Sequence, residues 1–244
     1  MPGMHDASCA TTEPARLHLD AALPGGLLLA CDAAGWSLQD VQGALAPLRV
    51  DFASGALTYR RARGGDRHQG LGRAAGKPDP AAAPTLIDAT GGLGKDAFIL
   101  AHLGWQVTLL ERSPVLAWLL ADGVARGRAD DAAGPVCQRM RVLHREAVDC
   151  LDHLPATARP QVVYLDPMYP PHRSSALPGR EMQYLRRLLG DDPPDSQLLV
   201  AACRAARGRV VVKRPAGAPP LPGPSPSHAI RLGQTRFDVY LTSR

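Results

Sequence analysis

From Pro84 onward the chain alternates short apolar runs with stretches of helical periodicity, and that alternation restricts the fold more than any other feature. The runs are TLIDAT, QVTLLER, MRVLHRE, QVVYLDP and RVVVKRP, beginning near residues 85, 106, 140, 161 and 209. Their Val, Ile and Leu are consecutive rather than alternating, the pattern of strands buried on both faces. Between them lie KDAFILAHLG, PVLAWLLADGVARG, a short AVDCL turn, and helical patterns near 179–189 and 195–207. Strands that take turns with helices build a mostly parallel sheet covered on both sides, an α/β Rossmann-like domain here spanning 79–244. Gly104 and Gly208 each follow a helical stretch, where a left-handed residue commonly ends a helix. Residues 216–228, AGAPPLPGPSPSH, form an irregular loop, and segments near 228–232 and 236–242 are expected to pair antiparallel at the sheet edge.

The first third of the chain has a different texture. Residues 1–15 are expected to be disordered, and 16–78 to form a small β-rich N-terminal domain ending in a basic arm. Its strand-like pieces are LHLD, GLLLACD, PLRVDF and ALTYR, with a hairpin turn at Gly55. Residues 60–77 carry Arg60, Arg61, Arg63, Arg67, Arg73 and Lys77 against Asp66 among many glycines. That composition fits a solvated linker as well as a flexible arm that grips phosphates.

Composition limits the classes of function. With 244 residues the chain can bury one sizeable core and a small accessory unit. A net charge of +5 permits an anionic partner without requiring one. The five cysteines are scattered and none forms a C-x-x-C pair, so neither a metal site nor a disulfide framework is expected. No apolar run approaches the roughly 20 residues that span a bilayer. The first residues lack a basic start followed by an apolar stretch, so a cytoplasmic protein with no membrane partner is expected.

The first strand runs into Asp88-Ala89-Thr90-Gly91-Gly92-Leu93-Gly94-Lys95-Asp96. Glycines such as Gly92 and Gly94 let a backbone turn sharply against a ligand at the carboxyl edge of the sheet. A dinucleotide loop of this kind prefers phosphate at the following helix, which Asp88 would oppose. S-adenosylmethionine carries a sulfonium and an ammonium and suits an acidic loop. Glu111, at the end of the second strand, is placed to bind ribose hydroxyls, a position shared with dinucleotide enzymes. Several neighbours keep two readings: Lys95 as a loop residue near the cofactor, Asp96 as a cofactor contact or a first-turn acid, and Arg112 beside adenosine or in solvent. Glu146 is compatible with accepting from an adenine amino group or with a plain surface acid.

The fourth strand ends in Asp166-Pro167-Met168-Tyr169-Pro170-Pro171, which resembles the D-P-P-Y signature of amino-methyltransferases with Met168 at the second proline. An exocyclic base amine is a poor nucleophile because its lone pair is delocalised. Hydrogen bonds from the amine to the Asp166 carboxylate and the Pro167 carbonyl would localise that pair, and Tyr169 could stack on the base. His172-Arg173 and Lys213-Arg214 follow strands on the same edge and would give it positive charge suited to phosphate, or belong to solvated loops.

Taken as blocks, DATGGLGKDAF, LLERSPV, RPQVVYLDPMYP, VVVKRP and RFDVY, with the stretch VDFASGALTYRR, resemble the small-subunit (16S) ribosomal RNA guanine-N2 methyltransferases of the RsmJ type. The likeness runs over residues 48–242 and is weak in the first 45. It implies a class I S-adenosylmethionine methyltransferase fold, S-adenosylmethionine as methyl donor with S-adenosylhomocysteine as product, and 16S rRNA, within the small ribosomal subunit, as substrate. It also implies cofactor contacts at Lys95, Asp96, Glu111, Arg112, Glu146, Ala147 and Asp166. DNA is not an expected partner. Adenine N6 or a protein glutamine are alternative acceptors for the same device, and a non-catalytic ribosome-assembly factor is the alternative from another class.

Overall fold

The computed structural model describes residues 23–53, 66–168, 178–190 and 196–242. Near the N-terminus, β1 (Leu27–Asp32) and β2 (Gly35–Asp40) pair antiparallel around a tight turn at Ala33 and Ala34. The strand GWSLQD was not expected: it lacks a β-branched run, and its turn carries no Asn-Gly or Asp-Gly signal. PLRVDF contributes only an isolated bridge between Leu48 and Leu38. The expected disorder of residues 1–15, the LHLD and ALTYR strands and the turn at Gly55 lie outside the described residues.

Arg60, Arg61 and Arg63 also lie outside them, but the rest of the basic stretch differs from expectation. Asp66–Ala75 is a helix, α1, with Leu71, Ala74 and Ala75 buried, so this part is neither linker nor flexible arm. Its apolar spacing of three and four residues supplies a face that packs on the sheet.

Then follow β3 (Thr85–Asp88), α2 (Lys95–His102), β4 (Gln106–Glu111), α3 (Pro114–Arg128), α4 (Gly134–Cys137), β5 (Met140–His144), α5 (Ala147–Asp152) and β6 (Val162–Leu165). The last third holds α6 (Arg180–Leu189), α7 (Ser196–Ala205), β7 (Arg209–Pro215), β8 (His228–Leu232) and β9 (Thr235–Leu241). Among the described residues seven of these strands form one sheet in the order β5-β4-β3-β6-β7-β9-β8. The first five neighbours pair parallel, and β9 pairs antiparallel with both β7 and β8. AVDCL is the short helix α5 rather than a turn. Gly208 is not left-handed, unlike Gly104 at φ 107°. A Cβ on Gly208 would lie 3.0 Å from the Gln161 carbonyl, so close strand approach explains that glycine instead.

Strand residues alternate between two cores, because successive side chains leave opposite faces of a sheet. Leu86, Val162, Tyr164, Val211 and Phe237 join a cluster with α1, α2, α3 and the β1–β2 hairpin. Ile87, Val163, Leu165, Val210 and Val212 join another with α5 and α7. Helices thus cover both faces, as consecutive apolar residues in the strands require. Among the described residues no helix is long and apolar enough to cross a membrane.

Candidate active site

The chain leaves β3 toward β4 and β5 on one side, then crosses back to place β6 and β7 on the other. Between β3 and β6 the connections diverge, and the carboxyl ends of such strands frame a crevice. Parity decides what points into it. Asp88 ends β3 in register with Tyr164, and Leu165 pairs with Val212, so Asp166 and Lys213 sit level one residue further on. Asp88, Tyr164, Asp166 and Lys213 therefore all lie on the face that carries α2.

Direct contacts join them. Thr90 Oγ1 donates to Asp88 Oδ1 at 3.2 Å and accepts from the Asp166 main-chain N–H at 2.7 Å. Asp96, in the first turn of α2, takes a hydrogen bond from the Tyr164 hydroxyl at 2.6 Å and an ion pair from Lys213 Nζ at 2.7 Å. Lys213 Nζ also lies 2.8 Å from Asp166 Oδ2. Asp96 is thus more than a first-turn acid. Lys213, for which the sequence offered a phosphate-facing or a solvated reading, is turned toward carboxylates.

The glycine loop is held against β4. Gly92, at φ 52°, donates its N–H to Glu111 Oε2 at 2.8 Å, while Ser113 N–H donates to Glu111 Oε1 at 2.8 Å. Gly94 precedes α2 at φ 70°, and a Cβ there would meet Leu120 at 2.6 Å and Phe52 at 3.0 Å. Both positions demand glycine, one for backbone conformation and the other for conformation and space.

A cleft of about 930 Å³ opens along this edge. Its lining includes Asp88, Gly92, Gly94, Asp96, Glu111 and Asp166. Lys95, Arg112, Glu146, Ala147 and Pro167 line it too, so every described residue that the sequence put forward for the cofactor or the catalytic site reaches one space. Tyr169, His172 and Arg173 lie outside the described residues. Two of the lining side chains have other duties as well. Lys95 pairs with Glu181 of α6 at 2.6 Å, and Glu146 caps α5, accepting from the Asp149 N–H at 2.9 Å. Thr90 and Tyr164 were missed, since a threonine in a loop and a tyrosine in an apolar strand carry no chemical signature of their own.

The electrostatics favour a cation. Burial, with Asp96 and Asp166 nearby, outweighs the Thr90 hydrogen bonds and pushes Asp88 up to about 7. Burial likewise raises Glu111 against the donors from Ser113 and Gly92. Recession into the cleft raises Asp166, opposed by Lys213 and reinforced by Asp96. Asp88 accepts from the main-chain N–H and the hydroxyl of Thr90, both neutral donors, so these bonds leave its negative charge uncompensated. A ligand bearing a sulfonium and an ammonium fits this donor set, whereas pyrophosphate would be repelled.

Fold and site together define a class I S-adenosylmethionine-dependent methyltransferase. Residues 15–242 match the family described as "Putative SAM-dependent methyltransferase". The ribosomal RNA small subunit methyltransferase J of Thioalkalivibrio sulfidiphilus is 48% identical over 217 residues, covering 88% of this chain and 85% of that one. The protein of the same name from Pseudomonas syringae is 46% identical over 82% of this chain and 73% of its own length. The crystal structure of a SAM-dependent methyltransferase from Neisseria gonorrhoeae superposes with a TM-score of 0.73 at 36% identity, covering 93% of this chain and 86% of that one. The chain belongs to the ribosomal RNA small subunit methyltransferase J family.

Proposed function

We propose that this protein methylates the exocyclic N2 of a guanosine in 16S rRNA, acting on the small ribosomal subunit in the cytoplasm. The observation that carries the reading is the Thr90 bridge, which ties the cation-seeking Asp88 to the Asp-Pro-Met turn at Asp166 across adjacent strand ends. S-adenosylmethionine, when bound, supplies a methyl group activated on a sulfonium. Asp88, Gly92, Gly94, Lys95, Asp96, Glu111, Arg112, Glu146 and Ala147 are the residues proposed to hold it. Asp166 and the Pro167 carbonyl accept the two N–H groups of the base amine, localising its lone pair and stabilising the positive charge that develops on nitrogen. Tyr169 is proposed to stack on the base. The substrate rests on the relatives being ribosomal RNA small subunit methyltransferases, and guanine N2 on the likeness of the D-P-M-Y and V-V-V-K-R-P blocks to guanine-N2 enzymes.

Incubating the protein with labelled S-adenosylmethionine and unmodified small subunits, beside naked 16S rRNA, tests this directly. The expected product on digestion is N2-methylguanosine. N6-methyladenosine would redirect the assignment to the other base amine. A calorimetric titration showing no cofactor binding would return the chain to a non-catalytic assembly factor.

A further inference from the structure

Lys213 has no role in the amine cradle as described so far, yet it is the cation held between two carboxylates. Its Nζ lies 2.8 Å from Asp166 Oδ2 and 2.7 Å from Asp96 Oδ2, and its side chain is only 25% exposed. A lysine that serves phosphate keeps its ammonium toward solvent, whereas this one is committed inward. Asp96 is fixed from its other side by the Tyr164 hydroxyl at 2.6 Å, so the anchor of Lys213 is itself braced. The Asp166 backbone is held separately, through its N–H to Thr90. Among the described residues, the Asp166 carboxylate is met by Lys213 on Oδ2.

We infer that Lys213 is the positioning residue of the methyl-transfer site: it fixes one carboxylate oxygen of Asp166 and leaves the other to accept from the substrate amine. This rests on the reading of Asp166 as the amine acceptor. The groups facing Asp166 are Lys213 from β7, Asp96 from α2, Asp88 from β3 and Tyr164 from its own strand. Asp96 and Asp88 are carboxyls and Tyr164 is a neutral phenol, so among these four groups only Lys213 opposes protonation of Asp166. A protonated Asp166 would offer the amine one weaker acceptor and no negative charge.

The test compares full-length Lys213→Met, Lys213→Arg and Asp166→Asn on unmodified small subunits. Lys213→Met is expected to lower kcat roughly a hundredfold, the scale of a misplaced catalytic group. KM for the subunits should stay within about threefold, since the lost interaction belongs to the transition state. The acid limb of kcat against pH should move up by about 1 to 3 units, the effect of removing a cation in contact with a carboxylate. Lys213→Arg should leave that limb in place and restore most of kcat. Wild-type kcat and an unmoved limb in Lys213→Met would overturn the inference. Should the methionine variant not fold, a folded Lys213→Arg as inactive as Asp166→Asn would overturn it equally. If Asp166→Asn itself turns over normally, the amine-acceptor reading falls first. If it is inactive while Lys213→Met is not, only the role of Lys213 falls.

Discussion

Asp88 shows how one side chain can couple pH, stability and ligand binding. Its side chain is buried, 2% exposed, and its value near 7 stands above the ordinary 3.8. Between those values the folded protein holds more protons than the unfolded chain, so the cost of burying this acid grows as pH rises and is complete above about 7. Asp88→Asn is therefore expected to raise stability at pH 8 by on the order of 3 kcal/mol and to change little at pH 4, read from urea unfolding at both. Asparagine keeps the acceptor for Thr90, so the comparison isolates charge. Cofactor binding should respond in the opposite sense. A cation next to Asp88 favours the ionised form, and so affinity for S-adenosylmethionine should rise by about tenfold between pH 6 and 8. The profile should be flat and weaker in Asp88→Asn. Calorimetry giving the same slope for both proteins would remove Asp88 from the cofactor site.

At the scale of elements, the glycine loop and α6 both line the cleft, and each is set by something behind it. Gly94→Ala would place a Cβ against Leu120 and Phe52 in a left-handed conformation, with an expected loss of about 2–3 kcal/mol in unfolding free energy. Helix α6 gives Met182, Leu185 and Leu189 to the cleft, while its other side is tied to the N-terminal segment. There Arg187 pairs with Asp40 at 2.8 Å, and the Tyr184 hydroxyl donates to the Leu45 and Ala46 carbonyls. The Arg187 guanidinium holds Asp40 down to about 2, so this tie stabilises the fold above pH 4 and is lost as pH falls through 2. Asp40→Asn should unfold at a lower temperature than the wild type at pH 6, with the gap closing near pH 2. Much of this level was legible in the sequence. Five apolar runs fixed the parallel strands, and an acid after each of three runs marked Asp88, Glu111 and Asp166. Partnerships were not legible. Tyr164 looks like core in VVYL, and Lys213 looks suited to phosphate, until the fold brings both onto Asp96 of α2. Helix α1 was hidden because its glycines and arginines imitate a linker, while its buried face is only a few residues wide.

Over the whole molecule, the N-terminal hairpin and the cofactor-binding half are built on one apolar interior. Phe52 stacks on Phe98 of α2 with centroids 5.1 Å apart, and Trp36 meets Trp118 of α3 edge-on at 5.5 Å. Val50 packs so closely on α3 that a Cβ at Gly123 would come within 2.5 Å of it. Leu27, Leu38 and Leu48 are fully or almost fully buried in the same cluster as Leu100, Leu109 and Leu120. The two helices under this contact are those that follow the glycine loop and Glu111, so the hairpin braces the cleft from behind although none of its described residues lines it. Unfolding it alone would expose large aromatic and aliphatic surfaces, each worth about 1.5–3 kcal/mol per side chain. Calorimetric unfolding of the intact protein is therefore expected to show one cooperative transition, displaced upward as a unit by S-adenosylmethionine. A chain begun at residue 66 should lose that transition and bind the cofactor at least about tenfold more weakly, since α2 and α3 would lose their support. Two separate transitions, with only the later one responding to cofactor, would instead show that the hairpin folds on its own account.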